Sequence, residues 1–188
     1  MADTKGSALI LLAEGAEEME AVIAADVLRR GNVKTVIGGL RGPGEVLCSR
    51  HVIIKPDMGI DTALKQGPYD AVILPGGLEG AENLAKSEKV KEILTEQYNR
   101  GGIVAAICAG PTVLAQHGIG TGKTATSYPT LKDKMTGYKY SEERVVKDDN
   151  LITSRGPGTA FEFGIELVRA VRGDDGEADK LASPMLLK

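Results

Sequence analysis

Short apolar runs alternate with segments of helical periodicity along most of the chain. Residues 7–13 (SALILLA) form a continuous apolar run of the length expected for a strand buried on both faces. Residues 17–31 place apolar side chains at helical spacing, open with acidic residues and end with two arginines and Gly31, as the helix macrodipole and C-cap rules require. The pattern therefore predicts a strand followed by a helix.

The same alternation continues to about residue 173. Strands are predicted at residues 34–40, 69–77 and 102–107, and helices at residues 87–102 (with Ser87 as N-cap), 110–118 and 159–173. Residues 143–155 predict a hairpin that turns at residues 148–150, residues 51–55 a short strand, and residues 174–188 either a last helix or a loose end. Strands that alternate with helices imply a mostly parallel sheet with helices on both faces.

Length and composition fit a single globular domain spanning residues 1–188. The chain is 42% hydrophobic and 26% charged, and its net charge of −3 gives no basic surface for nucleic acid. No apolar run approaches the roughly 20 residues of a membrane span, and the first fifteen residues lack a secretory signal. We therefore expect a soluble intracellular protein in which Cys48 and Cys108 are free thiols.

Cys108 follows the apolar run of residues 102–107 and precedes a predicted helix start. A strand-to-helix elbow that displays a nucleophile needs small residues two positions before and after it, and Ala106 and Gly110 supply them. Amides at the helix start can hold an anion, and the helix dipole is expected to lower the pKa of the thiol. The alternative is a buried cysteine that only fills the core. The spacing favours the nucleophile.

The two histidines are poor partners for this cysteine. His117 lies nine residues beyond Cys108, so it points to the opposite side of the helix and about 13 Å along it. His51 is expected at the surface or at a sheet edge. Acids after the first strand are better candidates, because the carboxyl ends of parallel strands share one crevice. Periodicity does not choose among them, and at least two can simply complement the helix dipole: Glu17, Glu18 and Glu20.

Three other motifs carry weaker signals. The glycines of residues 75–80 (PGGLEG) suit an oxyanion hole or a plain tight turn. Residues 118–125 (GIGTGKTA) are not favoured as a phosphate loop, because His117 stands where that motif needs glycine and the segment follows a helix. Scattered cysteines and histidines predict no metal site, and no cofactor is expected. Arg155, in residues 154–159 (SRGPGT), is a candidate anion contact at a strand end.

Six blocks of sequence occur together in a distinctive order: GAEEMEAVIAADVLRR, CSR, PYDAVILPGG, NRGGIVAAICAGPTVLA, KDKM and LITSRGPGTAFEF. They resemble the Parkinson-disease-associated protein deglycase family of the ThiJ/PfpI superfamily over essentially the whole chain. The resemblance implies an α/β flavodoxin-like three-layer sandwich with a mostly parallel central sheet, a nucleophile-elbow cysteine and a homodimer.

The resemblance also assigns site residues by position. Cys108 matches the family's nucleophile and redox-sensing cysteine, and Glu20 matches the glutamate that hydrogen-bonds its sulfur. Gly77 and Ala109 match the backbone amides around the oxyanion position, and Gly76 is expected at the same oxyanion and substrate-binding site.

Around the site, this chain matches the family at three further residues and differs from its vertebrate members at two positions. Arg30 and Arg50 match arginines near the dimer contact and the site, and Met19 matches an interface residue. Vertebrate members carry a histidine where this chain has Tyr128, and a phenol, which titrates near pH 10, cannot replace imidazole as a base at neutral pH. They also carry a further cysteine where this chain has Lys55. We therefore expect an invertebrate member, in which Tyr128 retains at most a hydrogen-bonding role.

The resemblance implies cysteine-dependent detoxification of reactive dicarbonyls. It predicts a glyoxalase that converts methylglyoxal into lactate without glutathione and a deglycase of glycated proteins, in the cytoplasm and, as in relatives, the nucleus and mitochondrion. The alternative is a redox-sensing stress chaperone in which Cys108 oxidises to a sulfinate and turnover is incidental. Amidotransferase or peptidase activity is less favoured, because those reactions usually need a histidine base.

Overall fold

The computed structural model describes residues 5–187. Its strands, in chain order, are β1 (Ser7–Leu12), β2 (Lys34–Gly39), β3 (Val46–Leu47), β4 (Ile53–Ile54), β5 (Met58–Gly59), β6 (Ala71–Leu74), β7 (Ile103–Ile107), β8 (Thr124–Ala125), β9 (Lys139–Tyr140), β10 (Val145–Asp148) and β11 (Leu151–Ser154). Its α-helices are α1 (Glu18–Arg30), α2 (Ile60–Leu64), α3 (Leu78–Ala85), α4 (Glu88–Asn99), α5 (Gly110–His117), α6 (Ala160–Arg172) and α7 (Asp175–Asp179). Short 3-10 helices span Pro129–Lys134 and Pro157–Thr159.

A central sheet in the order β10-β11-β7-β6-β1-β2-β5 organises the molecule. Every neighbouring pair is parallel except β10 and β11, which form the predicted hairpin. Successive side chains of a strand point to opposite faces, so Leu9 and Leu11 pack with α3, α4 and α5 while Ile10 and Leu12 pack with α1 and α6. The predicted three-layer α/β fold with a mostly parallel sheet is confirmed.

Close packing between α1 and α6 sets the position of α1, which carries the candidate acids. A methyl group at Gly164 would lie 2.9 Å from Cβ of Val27, and one at Gly31 would lie 2.6 Å from Cγ1 of Val168. Both distances are shorter than real contacts allow, so glycine at these positions lets the two helices approach each other closely.

The observed elements differ from the predicted ones mainly where elements are short. Ser87 caps α4 as predicted, with its hydroxyl accepting from the amide of Val90. The glycine-rich segment at residues 75–80, for which a tight turn is one prediction, continues into α3. Of the strand expected at residues 51–55, only Ile53–Ile54 is extended. The tail contains α7. No helix within residues 5–187 is long and apolar enough to cross a membrane. The first fifteen residues are predicted not to be a secretory signal, and residues 1–4 of that segment lie outside the described residues.

Candidate active site

Cys108 lies at a sharp elbow between β7 and α5 and adopts a left-handed backbone with φ of 64°. Such a conformation is uncommon for a residue with a side chain and has to be held by its surroundings. The amide of Cys108 donates to the carbonyl of Ser154 at 3.0 Å, and its own carbonyl accepts from the amide of Tyr128 at 2.8 Å. A methyl group at Gly110 would lie 2.7 Å from the carbonyl oxygen of Leu74, which explains the small residue there.

The structure gives each of the three helix-start acids a different environment. Glu17 caps α1, and its carboxylate accepts from the amide of Glu20 at 2.8 Å. The carboxylate of Glu18 accepts from the hydroxyl of Ser49 at 3.1 Å and from the amide of Arg50 at 2.9 Å. Glu20 points inward and is only 1% exposed. It is therefore the acid that faces the elbow.

Cys108, Glu20 and Ala109 converge around Gly76. A methyl group added at Gly76 would lie 2.6 Å from Cβ of Cys108, 2.7 Å from Oε2 of Glu20 and 2.8 Å from the amide nitrogen of Ala109. The amide of Gly76 donates to Oε2 of Glu20 at 2.7 Å. The N–H of Gly76 already binds the carboxylate and is not free for an oxyanion, so Gly76 positions Glu20, while its expected place in the substrate-binding site stays a prediction.

Burial dominates the electrostatics of Glu20. It raises the pKa of this carboxyl from 4.5 to about 7, aided by the nearby charge of Glu17 and opposed by the Gly76 amide and the Cys108 thiol. Oε1 of Glu20 is buried and has no hydrogen-bond partner of standard geometry among residues 5–187. The thiol and the carboxyl are nevertheless near enough for each to shift the pKa of the other. Glu20 thus has one oxygen held in place and one available to the thiol.

The pKa of Cys108 is shifted in the direction opposite to the sequence-based expectation. Burial, the charge of Glu20 and the interaction of the thiol with that carboxylate raise it from 9.0 to about 12, while the amides of Gly77 and Ala109 lower it. An ionised Glu20 therefore disfavours the thiolate form of Cys108. Protonation of Glu20 removes the charge that raises the pKa of the thiol, so the two groups titrate as a coupled pair.

The amides of Gly77 and Ala109 remain available to stabilise negative charge beside the sulfur, since both act on the thiol. Gly77 has a φ of 81°, and a methyl group there would lie 2.2 Å from the carbonyl oxygen of Gly15. The amide of Glu17 donates to the carbonyl of Gly76 at 3.0 Å. The loop after β6 is thus fastened to the start of α1, with both amides beside the thiol.

Known proteins share this fold over nearly the whole chain. The model of the DJ-1/PfpI family matches residues 6–170, which is most of the chain. The chain belongs to the DJ-1/PfpI family. The zebrafish (Danio rerio) protein named Parkinson disease protein 7 homolog is 54% identical over 184 residues, covering 96% of this chain and 97% of the relative.

Two further members of the DJ-1/PfpI family come from invertebrates, which fits the expected invertebrate membership. The crystal structure of Drosophila melanogaster DJ-1beta has a TM-score of 0.94 and 46% identity, and the match covers 98% of this chain and 99% of that one. The Caenorhabditis elegans protein named glutathione-independent glyoxalase DJR-1.2 is 40% identical over 189 residues, covering 100% of this chain and 99% of the relative.

The accessory residues suggested by the DJ-1/PfpI resemblance lie in different places. Tyr128 is beside the elbow; the residue is 43% exposed, and its ring lies 3.5 Å from where a methyl group at Gly156 would stand. Arg50 is exposed, in the turn held by Glu18 near the start of α1. Arg30 pairs with Asp26 at the far end of α1, ten residues and so about 15 Å from Glu20. Arg30 is therefore distant from Glu20 of its own chain, and its expected place near the dimer contact and the site stays a prediction.

The histidines take no part in the site. His51 is exposed in a turn, and His117 lies in the last turn of α5 near Ala85 and Lys91. The part of the chain that the structure describes contains no group of three or more histidine, cysteine or acidic residues that could hold a metal ion. Sequence reasoning missed Ser154, whose carbonyl braces the elbow, because that contact depends on the register between β7 and β11.

Proposed function

We propose that this chain is a cysteine-dependent enzyme of reactive dicarbonyls that converts methylglyoxal into lactate without glutathione and reverses early glycation of proteins. The observation that carries the proposal is the buried carboxyl of Glu20 beside the thiol of Cys108, with the amides of Gly77 and Ala109 acting on the same sulfur. A relative that is 40% identical over its whole length is named a glutathione-independent glyoxalase, which supports this chemistry for the family member described here.

The first step forms a hemithioacetal. The sulfur of Cys108 bonds to the aldehyde carbon as the thiol proton passes to the carboxylate of Glu20, and the carbonyl electron pair moves onto oxygen. The amides of Gly77 and Ala109 stabilise that oxyanion, which then takes a proton from Glu20. A carboxyl with a pKa of about 7 accepts and returns a proton with little free-energy cost at neutral pH.

The second step moves hydrogen between neighbouring carbons. Glu20 removes the proton from the carbon bonded to sulfur, giving an enediol, and the adjacent carbon is protonated to give a lactoyl thioester. Water then cleaves the carbon–sulfur bond, releasing lactate and restoring the thiol. Methylglyoxal and one water thus give lactic acid with no external oxidant or reductant. In the deglycase reaction, the same thiol attacks the carbonyl-derived carbon of a glycation adduct, and the protein amine leaves.

Lactate formation from methylglyoxal tests this function. We expect Cys108→Ala to abolish lactate formation and Glu20→Gln to lower kcat/KM by about 100-fold or more, since general acid–base catalysis contributes that much. Cys48→Ala is the matched control, because Cys48 is a buried cysteine with a pKa raised to about 11 and lies outside the proposed machinery. Wild-type rates in Cys108→Ala would overturn the proposal.

A second candidate, a redox-sensing stress chaperone, is favoured by the unpartnered Oε1 of Glu20. A protonated Glu20 can donate from this oxygen to a sulfinate on Cys108, and the amides of Gly77 and Ala109 can donate as well. Two molecules of hydrogen peroxide would each transfer one oxygen to the sulfur and leave as water. Intact-protein mass spectrometry after mild peroxide should show two oxygens gained on Cys108 alone. Equal oxidation of Cys48 would count against this candidate.

A homodimer completes the proposal and is supported by an exposed apolar surface. Most of this surface consists of residues on α1 and around the β3–β4 hairpin that are 48–58% exposed: Met19, Val22, Leu47, Val52 and Ile53. The carboxylate of Glu18 joins the two parts by its bonds to Ser49 and Arg50. Exposed apolar patches of this kind often mark protein interfaces, and a second copy of this chain is the partner that we propose.

The proposal places the protein in the cytoplasm, with the nucleus and mitochondrion as additional locations by family resemblance. Imaging of the full chain fused to a fluorescent protein at its C-terminus tests this. Signal confined to a secretory compartment would contradict it, because the free thiol of Cys108 would there meet oxidising conditions.

A further inference from the structure

An open cavity of about 370 Å³ lies at the edge of the sheet where β11 ends. It is lined by the segment after β11, by Arg144 and by the pair Tyr128–Pro129. The amide of Tyr128 donates to the carbonyl of Cys108 at 2.8 Å, so one wall of the cavity is attached directly to the elbow. The cavity therefore neighbours the reacting sulfur without containing the catalytic pair.

The strand register places the backbone of Arg155 beside the backbone of Cys108. Ile107 of β7 is paired with Ser154 of β11, so the next residue on each strand leaves the sheet at the same edge. Parallel neighbours lie about 4.8 Å apart, and the amide of Cys108 donates to the carbonyl of Ser154 at 3.0 Å. A substrate held on the sulfur thus has the Arg155 side of the cavity within reach of a short chain.

The charged side chains that line this cavity are all positive. Its lining includes two arginines and no acidic residue. The guanidinium of Arg144 is neutralised by Glu162, to which it donates two hydrogen bonds of 2.9 Å. The guanidinium of Arg155 donates to the carbonyl of Glu142 and has no carboxylate within ion-pair distance among residues 5–187. Arg155 therefore presents a positive charge with unused donors in a protein whose net charge is −3.

The backbone that carries Arg155 is held rigidly by one buried hydroxyl. Oγ1 of Thr159 accepts from the amides of Arg155 at 3.2 Å and Gly156 at 3.1 Å, and it lies 2.7 Å from the hydroxyl of Ser154. The ring of Tyr128 packs over Gly156 on the same side. A binding group on this turn is consequently preorganised, with an aromatic surface beside it.

We propose that Arg155 is a specificity residue that binds the anionic end of a dicarbonyl substrate while Cys108 holds its aldehyde end. The preferred substrates are then 2-oxoaldehydes that carry a carboxylate a few bonds from the ketone, with the intervening carbons against the ring of Tyr128. This inference rests on the proposed glyoxalase function. It adds a substrate class that methylglyoxal, which is small and uncharged, does not represent.

Turnover of 4,5-dioxopentanoate against methylglyoxal tests the specificity. One water converts this anionic substrate into 2-hydroxyglutarate by the same steps. The wild type should prefer it, and Arg155→Met should lower kcat/KM for it about tenfold or more, the effect of losing one charge-assisted hydrogen bond, with methylglyoxal turnover within about twofold of wild type. Arg155→Lys should keep part of the preference. Arg144→Met combined with Glu162→Gln is the control, because it removes both partners of an ion pair beside the same cavity and leaves the net charge unchanged.

Alkylation of Cys108 tests the charge of Arg155 without any turnover. The ratio of the rates with iodoacetate and iodoacetamide, read by mass spectrometry, should fall in Arg155→Met and in Arg155→Gln, which can still donate to the Glu142 carbonyl. In the wild type the ratio should fall as sodium chloride is raised. If the wild type forms no lactate from methylglyoxal, the proposed function fails, yet this ratio still decides the anion site. A ratio unchanged by both variants and by salt overturns the inference.

Discussion

The amide of Gly76 donates to Oε2 of Glu20 at 2.7 Å, and the same glycine leaves room for Cys108 and Ala109 against that carboxylate. One residue without a side chain therefore both orients the acid and allows the thiol to approach it. The pair behaves as a unit because burial raises the pKa of Glu20 to about 7 and Glu20 in turn raises that of Cys108.

Gly76→Ala should disable the site while leaving the protein folded. Its methyl group would stand 2.6–2.8 Å from Cys108, Glu20 and Ala109, and overpacking of this kind costs about 1–3 kcal/mol of stability. The displaced groups should lower kcat/KM for methylglyoxal by about 100-fold, as misplacement by about 1 Å does in other sites. Gly44→Ala is the control, since nothing lies within 4 Å of a methyl group there. Equal activity in the two variants would contradict this account of Gly76.

Glu20 should make the stability of the protein depend on pH near neutrality. Its folded-state pKa of about 7 lies above the ordinary 4.5, so the folded state holds this proton more tightly than the unfolded state. Its stabilising contribution is full below pH 4.5 and is lost as the pH rises through 7, roughly 3 kcal/mol in total. Glu20→Gln should lack that loss, so its unfolding free energy should rise relative to wild type over this range.

Urea unfolding followed by far-UV circular dichroism at fixed protein concentration measures this difference. Glu18→Gln provides a contrast of opposite sign. Burial raises the pKa of Glu18, but hydrogen bonds from its own backbone, Ser49, Arg50 and Val52 outweigh burial and lower it. The stabilisation from Glu18 is therefore lost as the pH falls rather than as it rises. A Glu20→Gln difference that stays flat between pH 4.5 and 8 would show that Glu20 is not protonated in the folded state.

The reactivity of Cys108 should increase when Glu20 loses its charge. Glu20→Gln removes the carboxylate that helps raise the pKa of the thiol to about 12, so the alkylation rate with iodoacetamide at pH 8 should rise. Mass spectrometry of the labelled protein against pH gives the pKa. Cys48, whose pKa burial raises to about 11, is an internal control and should stay slow in both proteins. Identical profiles for Cys108 would rule out the coupling.

Thr159→Val should loosen the turn that supports the elbow. Valine keeps the shape of threonine but leaves the amides of Arg155 and Gly156 without the hydroxyl that accepts from them at 3.2 and 3.1 Å. An unpaired buried donor costs about 1–3 kcal/mol, so the unfolding free energy should fall by that amount. Thr159→Ser should restore most of it. Equal loss in both variants would assign the effect to packing of the methyl group instead.

Val22→Glu should dissociate the proposed homodimer. Val22 is 48% exposed on α1 within the apolar surface shared with the β3–β4 hairpin, and a buried unpaired carboxylate in an interface is strongly unfavourable. Sedimentation equilibrium should show dimers for the wild type and monomers for the variant. Leu64→Glu on α2, a leucine that is 38% exposed and apart from that surface, should remain dimeric. A monomeric wild type would remove the basis of this prediction.

Much of the fold follows from local pattern, and what does not follow depends on contacts distant in sequence. The apolar runs predict β1, β2, β6 and β7 because strands buried on both faces need continuous hydrophobicity. Helix α3 escaped prediction because Gly80 suggests a turn. The glycine at position 80 is needed for a tertiary contact instead, because a methyl group on Gly80 would lie 2.6 Å from Cα of Ala16.

The residues of the candidate site also differ in whether local sequence predicts them. Cys108 is predictable because the steric demands of an elbow act on its immediate neighbours. Periodicity cannot choose Glu20 over Glu17 and Glu18, because the three acids differ in the partners that the fold brings to them, and the choice rests on the family resemblance alone. The raised pKa of Cys108 was missed for that reason as well, since it arises from burial and from a carboxylate on another helix.

The bond between the amide of Cys108 and the carbonyl of Ser154 also has a consequence for the order of events during synthesis. Residue 108 leaves the ribosome well before residue 154, so the growing chain first contains the elbow without the strand that holds its left-handed backbone. Helices α3, α4 and α5 and the loop after β6 all precede residue 154 in the chain, but the elbow gains its brace only when β11 pairs with β7. Assembly of the reactive thiol is thereby delayed until most of the chain is present.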